Sequence, residues 1–248
     1  ITGSEGFIGR HLQKALRKDG HNVFTLDIAR GEGEDIFKYH SFKADVIYHL
    51  AALTNVNESF KNPGKFFITN VLGTAHIANI CYKNKIKLIY PSSAAIYHPE
   101  LSPYAKTKYL AEEILKDFAK VIPTVILRLY NVYGGDMNKN TGSIMYNFLH
   151  DKKITIYGDG EQTRDYINIE DVVDIMKDAI NPSWNGQIVD VGIGQTYSTN
   201  YVAGLFAYYR KKKLYYEPPR QEIRWSIANP QMLYRARSRN RSRAFCSL

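Results

Sequence analysis

Strand-like and helix-like stretches alternate through roughly the first 200 residues, and no other feature of the chain narrows its fold so far. Residues 1–2 read as the end of a strand, and further strands are expected at 23–26, 45–50, 87–91 and 124–129. Helices are expected at 6–19, where Phe7, Ile8, Leu12, Ala15 and Leu16 share one face, and at 63–82 and 103–120. Past Gly134-Gly135 the spacing loosens. Helices are expected there at 143–149, 169–180 and 199–209, and strands at 154–157, 165–168, 187–191 and 214–216. A chain that returns through a helix after each strand builds a parallel sheet covered on both faces. The expected class is α/β, a doubly wound parallel sheet with a small C-terminal substrate lobe.

Between the first strand and the first helix lies Thr2-Gly3-Ser4-Glu5-Gly6-Phe7-Ile8-Gly9. Glycines three apart let the backbone turn sharply and approach a pyrophosphate, whose charge then sits at a helix N-terminus. Among 17 glycines such spacing arises by accident, so its place between strand and helix is what gives it weight. Asp27, at the end of the second strand, strengthens it. A carboxylate there accepts hydrogen bonds from the ribose hydroxyls of NAD and repels a 2′-phosphate, although Arg30 stands close enough to soften that exclusion. A Rossmann NAD-binding domain is expected over 1–134, with 165–192 partly returning to it and a small substrate lobe over 135–234.

Composition removes several other classes. Apolar residues make up 44% and charged residues 23%, as in a packed globular chain. No apolar run approaches the ~20 residues of a membrane helix, and no signal peptide opens the chain. Cys81 and Cys246 form neither a disulfide framework nor a zinc pattern, which suits a reducing, cytoplasmic setting. The net charge is +9, but Arg235, Arg237, Arg239, Arg241 and Arg243 carry more than half of it. Residues 235–248 read as a solvated Arg/Ser tail, with nucleic-acid binding as the minor alternative. Ile1 falls inside a strand, so residues are expected ahead of it.

Tyr-x-x-x-Lys occurs at Tyr39/Lys43, Tyr104/Lys108, Tyr208/Lys212 and Tyr209/Lys213, where composition alone predicts about 1.5 matches. Position selects Tyr104/Lys108, which opens a helix just after the strand ending in Ser92-Ser93. Side chains at i and i+4 share a helical face, so phenol and ammonium converge. A free phenol, with a pKa of about 10, is a poor base at neutral pH. A neighbouring ammonium and a positive nicotinamide ring are expected to lower that pKa. Ser93 is expected to orient a substrate hydroxyl toward Tyr104.

Further motifs follow in order: His49-Leu50-Ala51-Ala52, Asn70-Val71-Leu72-Gly73-Thr74, Ser92 to Tyr97, Tyr104 to Lys108, Leu127 to Gly134, and Gln162 to Tyr166. With the glycine loop they resemble the extended short-chain dehydrogenase/reductase family, over roughly residues 1–230, and most closely its NAD-dependent nucleotide-sugar epimerases. The resemblance implies NAD contacts from Gly3, Gly6, Phe7, Ile8, Gly9, Asp27, Asp35, Ile36, Leu50, Ala51, Ala52, Asn70, Tyr104, Lys108 and Tyr130. It implies catalysis by Ser93, Tyr104 and Lys108. Substrate contacts are implied for Ser93, Tyr104, Asn131, Tyr157, Arg164, Arg220, Arg224 and Ser226, with the arginines on the diphosphate and Ser226 near the sugar C2 substituent.

Sugar dehydratases of this type carry an Asp-Glu pair just after the serine or threonine, where this chain has Ala94 and Ala95. A 5-position epimerase would place a cysteine near Ala95. What remains is redox at C4, either epimerisation through a 4-keto sugar or 4-keto reduction. A catalytically inactive dinucleotide-binding protein is the alternative of another class. The excursion from His98 to Pro103 is shorter than the family usually carries. The resemblance also implies a homodimer through helices 63–82 and 103–120, and no membrane partner.

Overall fold

The structure is a computed structural model that describes residues 1–137, 143–218 and 233–235. Its main sheet is parallel throughout, in the order β1 (Val46–Tyr48), β2 (Lys87–Ser93), β3 (Thr124–Leu129), β7 (Ile188–Gly192) and β10 (Leu233–Arg235). Beyond β1, Thr2 forms single parallel bridges with His49 on one side and Leu26 on the other. The strand expected at 23–26 therefore contributes one paired residue, and the one expected at 45–50 is regular only over β1. Both lie where the sheet is thinnest and its ladder is no longer continuous.

Alternation along the strands explains why both faces of the sheet are covered. Ile47, Leu88, Tyr90 and Ile126 enter one core, beneath α4 (Gly73–Asn84) and α5 (Pro103–Phe118). Tyr48, Ile89, Val125 and Leu127 enter the other, with α1 (Phe7–Lys18) and α7 (Ile169–Asp178). Phe7, Leu12 and Leu16 of α1 are buried there, on the face their spacing predicts. The Tyr48 hydroxyl donates to the Met176 carbonyl at 2.9 Å and fastens α7 to the sheet.

The expected 63–82 helix is a path of three parts: α3 (Pro63–Phe67), a π-turn (Ile68–Leu72) and α4. A short α2 (Val56–Lys61), capped by Asn55, precedes it. The widened turn directs the side chain of Asn70 inward, where it is buried.

After β3 the chain forms β4 (Asn131–Tyr133), which pairs in parallel with β6 (Thr163–Asn168); β6 pairs antiparallel with β8 (Thr196–Ser198). β5 (Ile154–Tyr157) and β9 (Leu214–Glu217) form a second small sheet, beside α6 (Ile144–His150) and α8 (Thr199–Arg210). Met145, Phe148, Ile154, Ile156, Val202 and Phe206 share one core with Leu12 and Val125. The stretch from residue 135 thus shares a core with the main sheet, and β7, within 165–192, is a strand of that sheet. One correction concerns the far edge. β10 pairs Leu233 with Asp190 and Arg235 with Gly192, so the stretch assigned to the lobe's end and the tail's start adds a strand to the main sheet. Parallel addition satisfies backbone groups that an open β7 edge would leave unpaired.

Candidate active site

Thr2 lies where the chain crosses first to Leu26 on one side and then to β1 on the other, and the crevice outside the strand ends opens at such a reversal. The glycine loop occupies this point. Gly3 has φ +70°, and a Cβ on it would lie 2.5 Å from the Ala51 nitrogen. A Cβ on Gly9 would lie 2.3 Å from the Gly3 carbonyl oxygen. Only bare backbone permits this approach of loop, helix and the Leu50-Ala51-Ala52 segment. Gly6 is exposed and takes the N-cap position of α1, where it offers no side chain to compete for the helix's first N–H groups. Phe7 turns into the core and Ile8 is half-buried.

Asp27 is held against the loop. Its Oδ2 accepts the Glu5 N–H at 2.8 Å, and its Oδ1 accepts the Ala29 N–H at 2.9 Å. Each oxygen keeps a lone pair free for a ribose hydroxyl. Asp35 caps the turn that buries Ile36, through the Phe37 N–H at 3.0 Å, and Ile36 packs against Gly73. Asn70 is placed one layer deeper. It accepts the Leu53 N–H at 2.8 Å and donates to the Leu53 carbonyl at 2.9 Å and the Thr107 hydroxyl at 3.1 Å. Its amide thereby joins the segment after Ala52 to α5.

Ser93 ends β2, and Ser102 caps α5 so that Tyr104 and Lys108 fall on its inner face. The Ser93 hydroxyl acts on the Tyr104 phenol, pulling its pKa down. The Lys108 Nζ donates to the Pro91 carbonyl at 2.8 Å and lies 4.3 Å from the centre of the Tyr90 ring. Tyr104 and Lys108, selected by position from four sequence matches, stand on the first two turns of α5, and Ser93 stands at the end of β2.

The electrostatics correct one expectation. Burial pushes the Tyr104 phenol up from its ordinary value, against the opposing pull of the Ser93 hydroxyl. Lys108 is itself pushed down to about 7 by burial, with Glu112 acting in the other direction. An ammonium in so dry a site spends its stabilisation on its own charge, so the chain alone does not lower the phenol.

Spacing gave no sign of the polar network behind the pair. Glu112, one turn beyond Lys108, is buried and accepts from Arg128 Nε and Nη2 at 3.1 and 2.9 Å. Arg128 Nη1 donates to the Tyr97 hydroxyl at 3.0 Å, and Tyr97 donates to Asp190 at 2.7 Å. Tyr97 closes the turn that begins at Ala94, directly after Ser93, so the chain of bonds ties the Ser93 turn to α5, β3 and β7. The i+4 relation of Glu112 to Lys108 was its only local signal. His49, the other residue missed, is buried on Thr2 at 2.7 Å and stacks with Tyr90; burial pushes it down to about 3, so it stays neutral.

On the lobe side, Asn131 Nδ2 donates to the Asp165 carbonyl at 3.0 Å, and the Asp165 carboxylate accepts the Ile193 and Gly194 N–H groups at 3.0 and 2.8 Å. This pins β6, which carries half-buried Arg164, to the end of β7. Tyr130 is buried beside Gly192, and Tyr157 is half-buried before the turn at Gly158 and Gly160, both with positive φ. Arg220, Arg224 and Ser226 lie outside the described residues.

The model of the NAD dependent epimerase/dehydratase family matches residues 1–192. The chain belongs to that family. It is 30% identical to a Methanocaldococcus jannaschii protein named "Putative UDP-glucose 4-epimerase", over 90% of this chain and 87% of the relative. Among solved structures it resembles MoeE5 in complex with UDP-glucose and NAD, with a TM-score of 0.79 and 26% identity, over 89% of this chain and 85% of that one. It also resembles TunA, an NAD-dependent NDP-hexosamine 5,6-dehydratase, with a TM-score of 0.81 and 27% identity over 93% and 88%. NAD is the cofactor, and the epimerase/dehydratase chain fits it. The exposed Gly6 at the start of α1 and Asp27, anchored on the Glu5 N–H, present a helix N-terminus and a ribose-reading carboxylate on the same loop.

Proposed function

We propose that the chain catalyses NAD-dependent epimerisation of a nucleotide-diphosphate sugar at C4 through a transient 4-keto sugar, with UDP-glucose and UDP-galactose or their N-acetylated counterparts as substrates. The observation that carries this reading is Tyr104 and Lys108 one turn apart on the inner face of α5, directly after the β2 strand that ends in Ser93, whose hydroxyl acts on the Tyr104 phenol. Bound NAD supplies the two-electron oxidation and reduction at C4. Tyr104 takes the proton of the C4 hydroxyl and returns it, and Ser93 holds that oxygen in line with the phenol. Lys108 contributes positive charge behind the phenol and N–H donors toward a ribose. Arg164 and Asn131 face the diphosphate, and Tyr157 the base. Ala94 and Ala95 supply no acid–base pair for elimination, which favours epimerisation over dehydration.

The test is incubation with a panel of UDP-, GDP- and dTDP-sugars, with C4 stereochemistry read by NMR. Tyr104→Phe is expected to retain NAD and lose turnover by about 10²-fold or more. Full activity in that variant would overturn the role of the phenol. Stoichiometric consumption of added NADH, without C4 inversion, would replace epimerisation by ketoreduction.

We further propose that the working form is a homodimer. Phe67, Ile68 and Leu72 are exposed along the α3–α4 path at 42%, 52% and 46%, an apolar face suited to a second copy of itself.

A further inference from the structure

Arg30 stands three residues after Asp27, at the end of a short 3-10 turn. Its Nη2 donates to the Ser4 hydroxyl at 3.0 Å, which lays the guanidinium across the glycine loop, on the edge where Asp27 accepts the Glu5 N–H. A guanidinium beside the ribose-reading carboxylate is the group that receives a 2′-phosphate in sites that take NADP. Here two carboxylates already hold it. Arg30 Nε lies 3.1 Å from Glu34 Oε2 and 3.6 Å from Glu5 Oε1. The same Glu34 oxygen accepts the Asp27 N–H at 2.8 Å, so one atom fixes both the arginine and the backbone of the ribose-reading residue. Asp27, Glu5 and Glu34 surround Arg30 with three carboxylates, while Arg10, which donates to the Glu5 carbonyl at 3.0 Å, is paired with Asp136. A 2′-hydroxyl meets acceptors there, and a 2′-phosphate meets excess negative charge with its natural partner engaged.

We propose that Glu34 is a specificity-determining residue, which with Glu5 holds Arg30 as an internal counter-ion and thereby makes the site select NAD against NADP. Sequence alone left Arg30 as a group that softens this selection; the ion pairs turn it into part of a closed set.

The experiment measures binding of NAD and of NADP, by titration calorimetry near physiological ionic strength, to dinucleotide-free protein. The variants are Glu34→Gln, Glu5→Gln and Glu34→Gln combined with Arg30→Ala. The wild type is expected to prefer NAD. Glu34→Gln keeps an oxygen for the Asp27 N–H and is expected to reduce that preference by about tenfold, through tighter NADP binding. Glu5→Gln, from the longer pair, is expected to move the ratio the same way by less. The gain is expected to vanish in the Glu34→Gln/Arg30→Ala protein. An unchanged ratio in Glu34→Gln, a gain that survives loss of Arg30, or a wild type that binds both dinucleotides equally overturns the proposal. The readout is binding, so it stands whatever reaction the sugar panel reveals.

Discussion

Replacing Lys108 by Met tests the electrostatics of the site through stability. Lys108 is 3% exposed, and burial carries it from its ordinary 10.5 to about 7. Between those two values the unfolded chain holds a proton that the folded chain has released. Stability therefore rises with pH across the window, by up to about 1.4 kcal/mol per unit. Below pH 7 both states are protonated and the contribution is flat, at its most unfavourable. Integrated over the window, the effect is on the order of 4 kcal/mol. The Met variant lacks this term. It leaves the Pro91 carbonyl without its donor, at a cost of about 1–3 kcal/mol, but that cost does not vary with pH. The assay is urea unfolding of dinucleotide-free wild type and variant from pH 6 to 10, reading the difference in unfolding free energy. Wild type is expected to gain on the variant steadily above pH 7. A difference that stays flat, or that falls with pH, would refute the claim that the ammonium is held in a dry site.

Tyr97→Phe removes the hydroxyl that Arg128 and Asp190 share and leaves Asp190 buried without its donor. It is expected to cost about 1–3 kcal/mol by denaturant unfolding and to lower kcat more than it raises KM, because the Ser93 turn loosens while the substrate contacts persist. An unchanged kcat would confine the network to stability. Leu72→Glu on the exposed α3–α4 face is expected to convert a dimer to monomer in light scattering while the far-UV spectrum stays the same; a wild type that is monomeric at micromolar concentration would remove the dimer reading.

Period and punctuation along the chain determined the fold class, the glycine loop and the candidate phenol. Those features are local: near-continuous apolar runs in β2 and β3, a 3.6-residue stripe in α1, and glycines that only bare backbone can satisfy. The strands β4, β8 and β10 escaped, and the strand expected at 23–26 is reduced to a single bridge at Leu26, because short pairings draw their stability from neighbours and not from their own residues. Tertiary structure alone decided the charge state of the site. Whether Lys108 is an ammonium depends on how much water reaches it, and whether Arg30 is free for a ligand depends on where the neighbouring Glu34 and the distant Glu5 come to rest. Tyr97 and Asp190 lie 93 residues apart in the chain, yet share a proton donor and its acceptor. Coulomb energies follow distance and dielectric, and a linear sequence specifies neither until the chain has packed.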